Sequence, residues 1–378
     1  MPAQDWAPGA HSYPLLARQE RATYPFAAIV GQEEMKLALL LNVIEPRIGG
    51  VLIMGHRGTG KSTAVRALAD LLPQARRVSG CLYGCDPEIS TEWCDGCLSR
   101  RNGRRSLPSE WAPVPVVELP LGATEDRVCG TLDIELALAR GIKAFEPGLL
   151  AKAHRGFLYI DEVNLLEDHL VDLLLDVAAS GWNVVEREGI SVRHPSRIVL
   201  VGSGNPDEGE LRPQLLDRFG LYARASTIGD IAARMEIVRR RERFECDPVA
   251  FRAEVAAEQE RLRRRIQRAR RLISGVEMES GLLTRASELC VDLGADGHRG
   301  ELTILRASKA LAAFEGRQRV GAGDVRRVTA MSLRHRLAKN ALGDVDPGVR
   351  IELAMNRLLP ANELETHRNG HWRRTGQL

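Results

Sequence analysis

At 378 residues the chain is longer than one ordinary domain, and 44% hydrophobic against 27% charged residues describes a folded, two-domain protein rather than a disordered one. A formal net charge of only +3 removes any global electrostatic case for nucleic acid or an anionic membrane. No apolar run approaches the roughly 18 residues of a membrane span, and the opening MPAQDWAPGAHSYPLLARQE lacks the layout of a secretory signal, so the cytoplasm is the expected location.

In chain order, residues 1–23 read as a loose lead. The segment from Phe26 to Gly50 opens on an apolar turn or strand and continues as a helix, which Pro46 and the Gly49–Gly50 pair end. VLIM (Val51–Met54) is a short unbroken apolar run, the pattern of a strand buried on both faces. A glycine loop follows, and KSTAVRALADLL then has helical character until Pro73 stops it. GFLYIDE (Gly156–Glu162) and RIVLVGSGNP (Arg197–Pro206) read as two further central strands. Between them Leu165, Leu166, Val171, Leu174 and Val177 fall close to helical spacing. Past about residue 230 the strand signals stop, and Ala, Leu, Glu and Arg recur at helical periods. The expectation is an α/β domain over 24–229, its parallel sheet flanked by helices, then a smaller all-helical domain over 230–360 and a tail over 361–378.

GHRGTGKS fits the phosphate-loop pattern G-x-x-x-x-G-K-[ST] at Gly55, Gly60, Lys61 and Ser62. Its glycines let backbone N–H groups turn toward phosphate oxygens, Lys61 reaches the terminal phosphates, and the Ser62 hydroxyl ligates Mg²⁺. The nucleotide-binding set is Gly55, Arg57, Gly58, Thr59, Gly60, Lys61, Ser62 and Thr63, with ATP and Mg²⁺ as the ligands. The strand FLYIDE ends in two acids at the sheet edge where α/β folds bind ligands. Asp161 is expected to hold the Mg²⁺ and Glu162 to polarise the attacking water. Asn205, ending the next strand, is a candidate for holding the same water or the γ-phosphate. Arg218, in LRPQLLDRFGL, is a candidate arginine finger. Arg299 opens a helix where positive charge opposes the dipole, so a nearby bound anion would account for it.

CLYGCDPEISTEWCDGC holds Cys81, Cys85, Cys94 and Cys97, spaced C-x3-C-x8-C-x2-C. Four thiolates at these spacings can bind Zn²⁺ or an iron–sulfur cluster as a structural site; thiol redox control and plain reduced thiols are the other readings. In RLRRRIQRARRLI, Leu262, Ile266, Ala269 and Ile273 form one apolar stripe, which leaves the arginines on a solvated or partner-facing side, with nucleic-acid contact as the other reading.

Taken together these residues resemble an AAA+ ATPase. FAAIVGQEEMKLALLLNVIEPRIGGVLIMGHRGTGKSTAVRALADLLP, LPLGATEDRVCGTLDIELAL, FEPGLLAKAHRGFLYIDEVNLLEDHLVDLLLDVAASGWNVVEREGISVRHP, VGSGNPDEGELRPQLLDRFGL and GHRGELTILRASKALAA further resemble the ATPase (I) subunit family of magnesium chelatase, over roughly residues 24–340. The resemblance implies a ring, six subunits in number, in which Arg218 acts on the neighbour's nucleotide and Arg299 is a second sensor. It implies two partner subunits, the larger holding the porphyrin, and ATP-driven Mg²⁺ insertion for (bacterio)chlorophyll synthesis. It also implies an insertion containing LPLGATEDRVCGTLDIE and a hairpin at Asn183–Pro195, both candidates for signalling to a partner. His56 and His298 stand where the family pattern expects Asp and Leu. Two other functions compete: a remodelling ATPase for an unrelated partner, and a DNA-translocating motor, which the acids beside Arg187, Arg193 and His194 weaken.

Overall fold

The computed structural model describes residues 22–101, 106–132, 145–187, 190–209, 211–295, 297–337 and 346–360. The expected lead, apart from residues 22–23, and the expected tail lie outside them.

The strands in chain order are β1 (Val51–Met54), β2 (Ala75–Val78), β3 (Ser109–Ala112), β4 (Val116–Leu119), β5 (Gly130–Leu132), β6 (Phe145–Pro147), β7 (Gly156–Ile160), β8 (Trp182–Arg187), β9 (Ile190–Pro195), β10 (Ile198–Gly204) and β11 (Leu221–Arg224). Five of them build one sheet in the order β11-β1-β10-β7-β4, with every pairing parallel. The residues of β1 and β7 are buried throughout, as a parallel sheet covered on both faces requires.

The two-residue period of a strand divides these side chains between two cores. Val51, Ile53, Phe157, Tyr159 and Val201 face one way, onto Leu39 and Leu41 of the helix Glu33–Ile44 and onto Ile266, Ile304 and Leu311 of the C-terminal helices. Leu52, Met54, Leu158, Ile160 and Leu200 face the other, onto Leu170, Val171 and Leu174 of the helix Asp168–Ser180. The first core runs unbroken from sheet to C-terminal helices.

Two details differ from the sequence expectation. The helix after the phosphate loop is α-helical only over Lys61–Leu68 and tightens to a 3₁₀ turn over Ala69–Leu71, because the residue before Pro73 is driven out of helical geometry. Leu165 is 47% exposed, since Val163–Leu165 is a separate 3₁₀ turn and Leu170 takes the core position instead.

Beyond residue 230 six helices follow among the described residues, and no strand. Three of them start on Asp caps: Asp230 accepts from Ala233 N at 2.8 Å, Asp247 accepts from Val249 N and Ala250 N ahead of Pro248, and Asp346 accepts from Gly348 N at 2.6 Å ahead of the helix Pro347–Leu358. The arginine-rich helix Pro248–Leu272 buries Ile266 and Ala269 completely, with Leu262 and Ile273 packed beside them. Several of its arginines are engaged within the chain. Arg252 pairs with Asp70, Arg263 donates to Asp70 O and to Glu260, and Arg265 lies 4.0 Å from the centre of the Phe314 ring. No described helix is long and apolar enough to cross a membrane.

Small antiparallel pairs surround the sheet: β2 with β3, β5 with β6, and the hairpin of β8 with β9, whose turn at 188–189 lies outside the described residues. The hairpin thus falls on the expected Asn183–Pro195. Of the expected insertion segment LPLGATEDRVCGTLDIE, residues 119–132 are described and 133–135 are not.

The contrast along the arginine-rich helix gives a stability test. Ile266→Ala is expected to cost about 2–5 kcal/mol through the cavity it leaves. Arg264→Ala, at an exposed position paired with Glu260, is expected to stay within about 0.5 kcal/mol of the parent. Denaturant midpoints of the two variants check this; equal shifts would overturn the assignment of the buried stripe.

Candidate functional site

The carboxyl ends of β1, β7 and β10 lie side by side, and each carries a part of the site. Beyond β1 the phosphate loop begins at Gly55, whose N–H donates to Gly204 O at 3.1 Å. A Cβ on Gly55 would sit 2.1 Å from Ala225 O, so the close approach of the chain after β11 demands glycine. Gly58 at φ +79 and Gly60 at φ +86 take the left-handed region that glycine favours, which lets the loop turn its backbone N–H groups toward one point. The loop's last residues enter the helix Lys61–Leu68, whose free N–H groups face the same point.

Lys61 is buried, and its ammonium donates to Gly55 O at 2.5 Å and His56 O at 3.0 Å, the loop's own carbonyls. Burial lowers its pKa, while Asp161, Glu162 and Glu208 pull the other way and favour the charge. Thr59 Oγ1 donates to His56 O at 2.9 Å and tightens the loop from within.

Asp161 is the hub. Tyr159 Oη donates to its Oδ1 at 2.7 Å, Ser203 Oγ at 2.5 Å, and Ser62 Oγ approaches both carboxylate oxygens at 3.2–3.3 Å. Burial alone would raise its pKa; the hydrogen bonds from Ser203, Tyr159 and Ser62 outweigh it and hold the group below the ordinary carboxylate value. The carboxylate is therefore ionised and aimed at Ser62, the donor pair that a magnesium ion accompanying a nucleotide uses.

Glu162 follows in the left-handed region at φ 53, one of three non-glycine residues there among the described residues. That conformation is costly for a side-chain-bearing residue and turns the carboxylate out of the strand line. Its N–H donates to Ser203 Oγ at 3.3 Å, and Arg57 Nε stands 3.6 Å from its Oε1. Asn205 is buried at the end of β10, accepting from Asp207 N at 3.3 Å and donating to Glu208 Oε1 at 3.4 Å. Asn164 Oδ1 and Glu208 Oε2, both beside Asn205, are buried without a hydrogen-bond partner. Unsatisfied acceptors, an open backbone cradle and a Ser–Asp pair together fit a magnesium–nucleotide complex.

Four members were not singled out from the sequence: Tyr159, Ser203, and the acids Asp207 and Glu208 that face His56 and Arg57. Tyr159 and Ser203 grip Asp161, Arg57 pairs with Glu208 at 2.5 Å, and His56 Nδ1 lies 3.0 Å from Asp207. The acids of NPDEGE directly after Asn205 were the available signal for the last two.

Arg218 and Arg299 come together elsewhere. The residues 217–220 lead into the amino end of β11, where Val51 pairs with Leu221 and Gly50 O accepts from Leu221 N. That is the opposite edge from the phosphate loop, roughly 13 Å away along a four-residue strand. Arg299, at the start of the helix Arg299–Phe314, pairs with the Asp217 carboxylate and donates to Asp217 O at 2.8 Å. The anion that its place at a helix start called for is thus Asp217 of the same chain. Arg336, buried and absent from the sequence reading, donates to Asp217 Oδ1 at 2.6 Å and Phe219 O at 2.8 Å. Arg218 is half-buried and makes no side-chain hydrogen bond or ion pair among the described residues.

The four cysteines do meet: their sulfur atoms all lie within 4.8 Å of one another, in a small core of their own.

Comparison with known proteins agrees with this geometry. Residues 133–213 match the family model "Magnesium chelatase, subunit ChlI", and residues 283–351 match "AAA lid domain". The chain is 58% identical over 347 residues to the magnesium-chelatase 38 kDa subunit of Chlorobaculum tepidum, covering 92% of this chain and 88% of that protein. It is 55% identical over 349 residues to the magnesium-chelatase subunit ChlI of Nostoc sp., covering 92% and 93%. A solved putative ATPase from Cytophaga hutchinsonii superposes with a TM-score of 0.58 at 18% identity, over 87% of this chain and 90% of that one, a likeness of fold. With its phosphate loop, acidic strand end and lid helices in their places, and with such identity along nearly all of its length, the chain belongs to the ChlI family of magnesium-chelatase subunits.

Proposed function

We propose that this chain is the ATP-hydrolysing motor of a magnesium chelatase, driving Mg²⁺ into protoporphyrin IX held on a partner subunit. The observation that carries the reading is the Asp161 carboxylate, kept ionised by three hydroxyls and facing Ser62 across the mouth of the phosphate loop.

Each side chain has a task in phosphoryl transfer. Lys61, now resting on loop carbonyls, exchanges them for terminal phosphate oxygens at the same spot. Ser62 and Asp161 take the magnesium of the substrate. Glu162 orients and polarises the attacking water, and Asn205, one strand over, steadies that water or the γ-phosphate. Arg57, poised between Glu162 and Glu208, keeps the Glu162 carboxylate extended before substrate arrives. Gly58, Thr59, Gly60 and Thr63 complete the cradle.

The arginines point to a ring. Arg218 lies across the sheet from the nucleotide of its own chain, so a finger role requires a second copy whose phosphate loop abuts the 217–220 loop. Six subunits and cytoplasmic location remain part of this proposal. Arg299, held by Asp217 beside Arg218, serves as a second sensor in the same interface.

Mg²⁺ sheds water reluctantly, so its entry into four porphyrin nitrogens calls for driven strain or dehydration. The reactive groups of this chain are those of phosphate chemistry, and the porphyrin chemistry is assigned to the larger partner. The hairpin β8–β9 is joined to the short helix Glu125–Cys129 that leads into β5, where Asn183 Nδ2 donates to Cys129 O at 2.9 Å; the hairpin and the β5–β6 pair form the surface we assign to partner signalling. A DNA-translocating motor is disfavoured: His194 is buried and unavailable to phosphate, and the exposed Arg193 is stacked 4.2 Å from the centre of the Trp182 ring.

Reconstitution tests the proposal. Mixed with the two partner subunits, protoporphyrin IX and Mg-ATP, the chain is expected to produce the fluorescence shift of metal insertion, and Lys61→Ala to abolish it. With partners proven active beside a known motor, no insertion despite brisk ATP hydrolysis would sink the chelatase reading. Glu162→Gln is expected to slow ATP turnover about 10²–10⁴-fold while nucleotide affinity persists. Parallel loss of affinity would instead make Glu162 a binding residue. Arg218→Ala is expected to lower turnover at least ~10³-fold. Mixing it with Lys61→Ala chains should recover activity, since each mutant donates what the other's interface lacks. A mixture as dead as its components would rule out action between subunits.

A further inference from the structure

We propose that Cys81, Cys85, Cys94 and Cys97 bind a single zinc ion as four thiolates, and that this ion clips the 79–97 loop to the base of the β8–β9 hairpin. The claim is independent of the motor reading.

Geometry selects the ion. Four thiolates around one tetrahedral zinc, at Zn–S about 2.3 Å, stand about 3.8 Å apart. Cys81 Sγ and Cys94 Sγ are 3.8 Å apart, and all four sulfurs lie within 4.8 Å of one another. An iron–sulfur cluster inserts several iron and sulfide atoms among its thiolates and spreads some pairs well beyond that limit. The ligands arrive as two short arms, C-x3-C and C-x2-C, the second entering the helix Asp95–Arg101. Cys94 N–H donates to Cys85 Sγ at 3.3 Å, the kind of backbone support that orients a metal-bound sulfur.

The size of the local core supplies an independent argument. Its buried members are Val78, Cys85, Trp93, Cys94, Cys97 and Leu107, so three of six are the cysteines themselves. So few apolar side chains do not order a loop of this length, and small modules of this kind depend on a metal or a crosslink. All seven cysteines of the chain are unpaired, which leaves the metal as the crosslink.

The module also has a defined attachment. Tyr83, between the first two ligands, stacks on the hairpin's His194 with ring centres 4.7 Å apart. Arg155, just before β7, donates to Gly84 O at 3.2 Å and pairs with Asp86 at 2.5 Å. Arg197, just before β10, pairs with Glu92 at 2.6 Å. These contacts lie at the amino ends of β7 and β10, away from the nucleotide edge.

The test begins with the full chain, purified without chelators or immobilised metals and analysed by plasma emission. About one zinc per chain is expected, with the four thiols protected from alkylation until a strong chelator is added. Replacing zinc by Co²⁺ should give the visible absorption of tetrahedral cobalt thiolate, and Cys97→Ser should lose it. After stripping, amides of residues 182–187 and 190–195 should exchange with solvent faster while those of 55–63 do not change. Zinc well below one per chain after refolding with excess zinc and reductant, iron with acid-labile sulfide, or a disulfide among the four would overturn the site. Unchanged hairpin exchange in the stripped wild-type protein would overturn the clip. Both readings need only the wild-type chain, so an unfolded variant leaves the proposal exposed.

Discussion

The site depends on β10 being hydrogen-bonded between β1 and β7. Met54 pairs with Gly204 and Ile160 with Gly202, so the three strands end at nearly one level. This register brings Ser203 within reach of Asp161 and of the Glu162 N–H, and Asn205 within reach of Asn164, two residues past Glu162. A slip of one residue would turn Ser203 to the opposite face and leave the Asp161 carboxylate without its 2.5 Å donor. The donors matter because a half-buried carboxylate is ionised only when hydrogen bonds replace the water it has lost.

The same sheet separates two kinds of work. Its carboxyl edge gathers the phosphate loop, Asp161, Glu162 and Asn205; its amino edge gathers the Asp217–Phe219 loop and the anchors of the cysteine module. A strand is stiff along its length, so groups at the two edges have a fixed spacing. Under the proposed ring, that spacing lets one chain contribute a loop to its own nucleotide and an arginine to its neighbour's. The hairpin base and the cysteine module, bound to the starts of β7 and β10, share the same rigid frame.

What was legible in the sequence was local. The phosphate loop, the acids after FLYI and the strand–loop–helix order each arise within a few residues, where chain geometry acts directly. Leu165 misled because a 3₁₀ turn at Val163–Leu165 broke the helical phase, an effect set by how the chain leaves Glu162 at φ 53. The cysteine spacing announced a possible site, whereas the meeting of its two arms is a product of folding. Tyr159 and Ser203 were invisible as a pair because strand order and register join residues 44 apart in the chain. Arg336 was hidden for the same reason: its partner Asp217 is 119 residues away.

Arg336 also explains how the helical part governs the Arg218 loop. Its guanidinium is nearly inaccessible, and burial lowers its pKa, opposed by the charge of Asp217. A buried cation of this kind holds its carboxylate firmly, because losing the partner leaves an uncompensated charge away from water. Arg299 draws on the same carboxylate from the exposed side, and its position follows the helix Arg299–Phe314. Asp217 is thus tied at one oxygen to a buried group and at the other to the first residue of the helix Arg299–Phe314. Any shift of that helix relative to the sheet pulls on the residue directly before Arg218. The helical part and the Arg218 loop are therefore mechanically coupled through the Asp217 carboxylate and the Asp217 and Phe219 carbonyls, and under the proposed ring a movement of the helices would reposition the arginine offered to the next subunit.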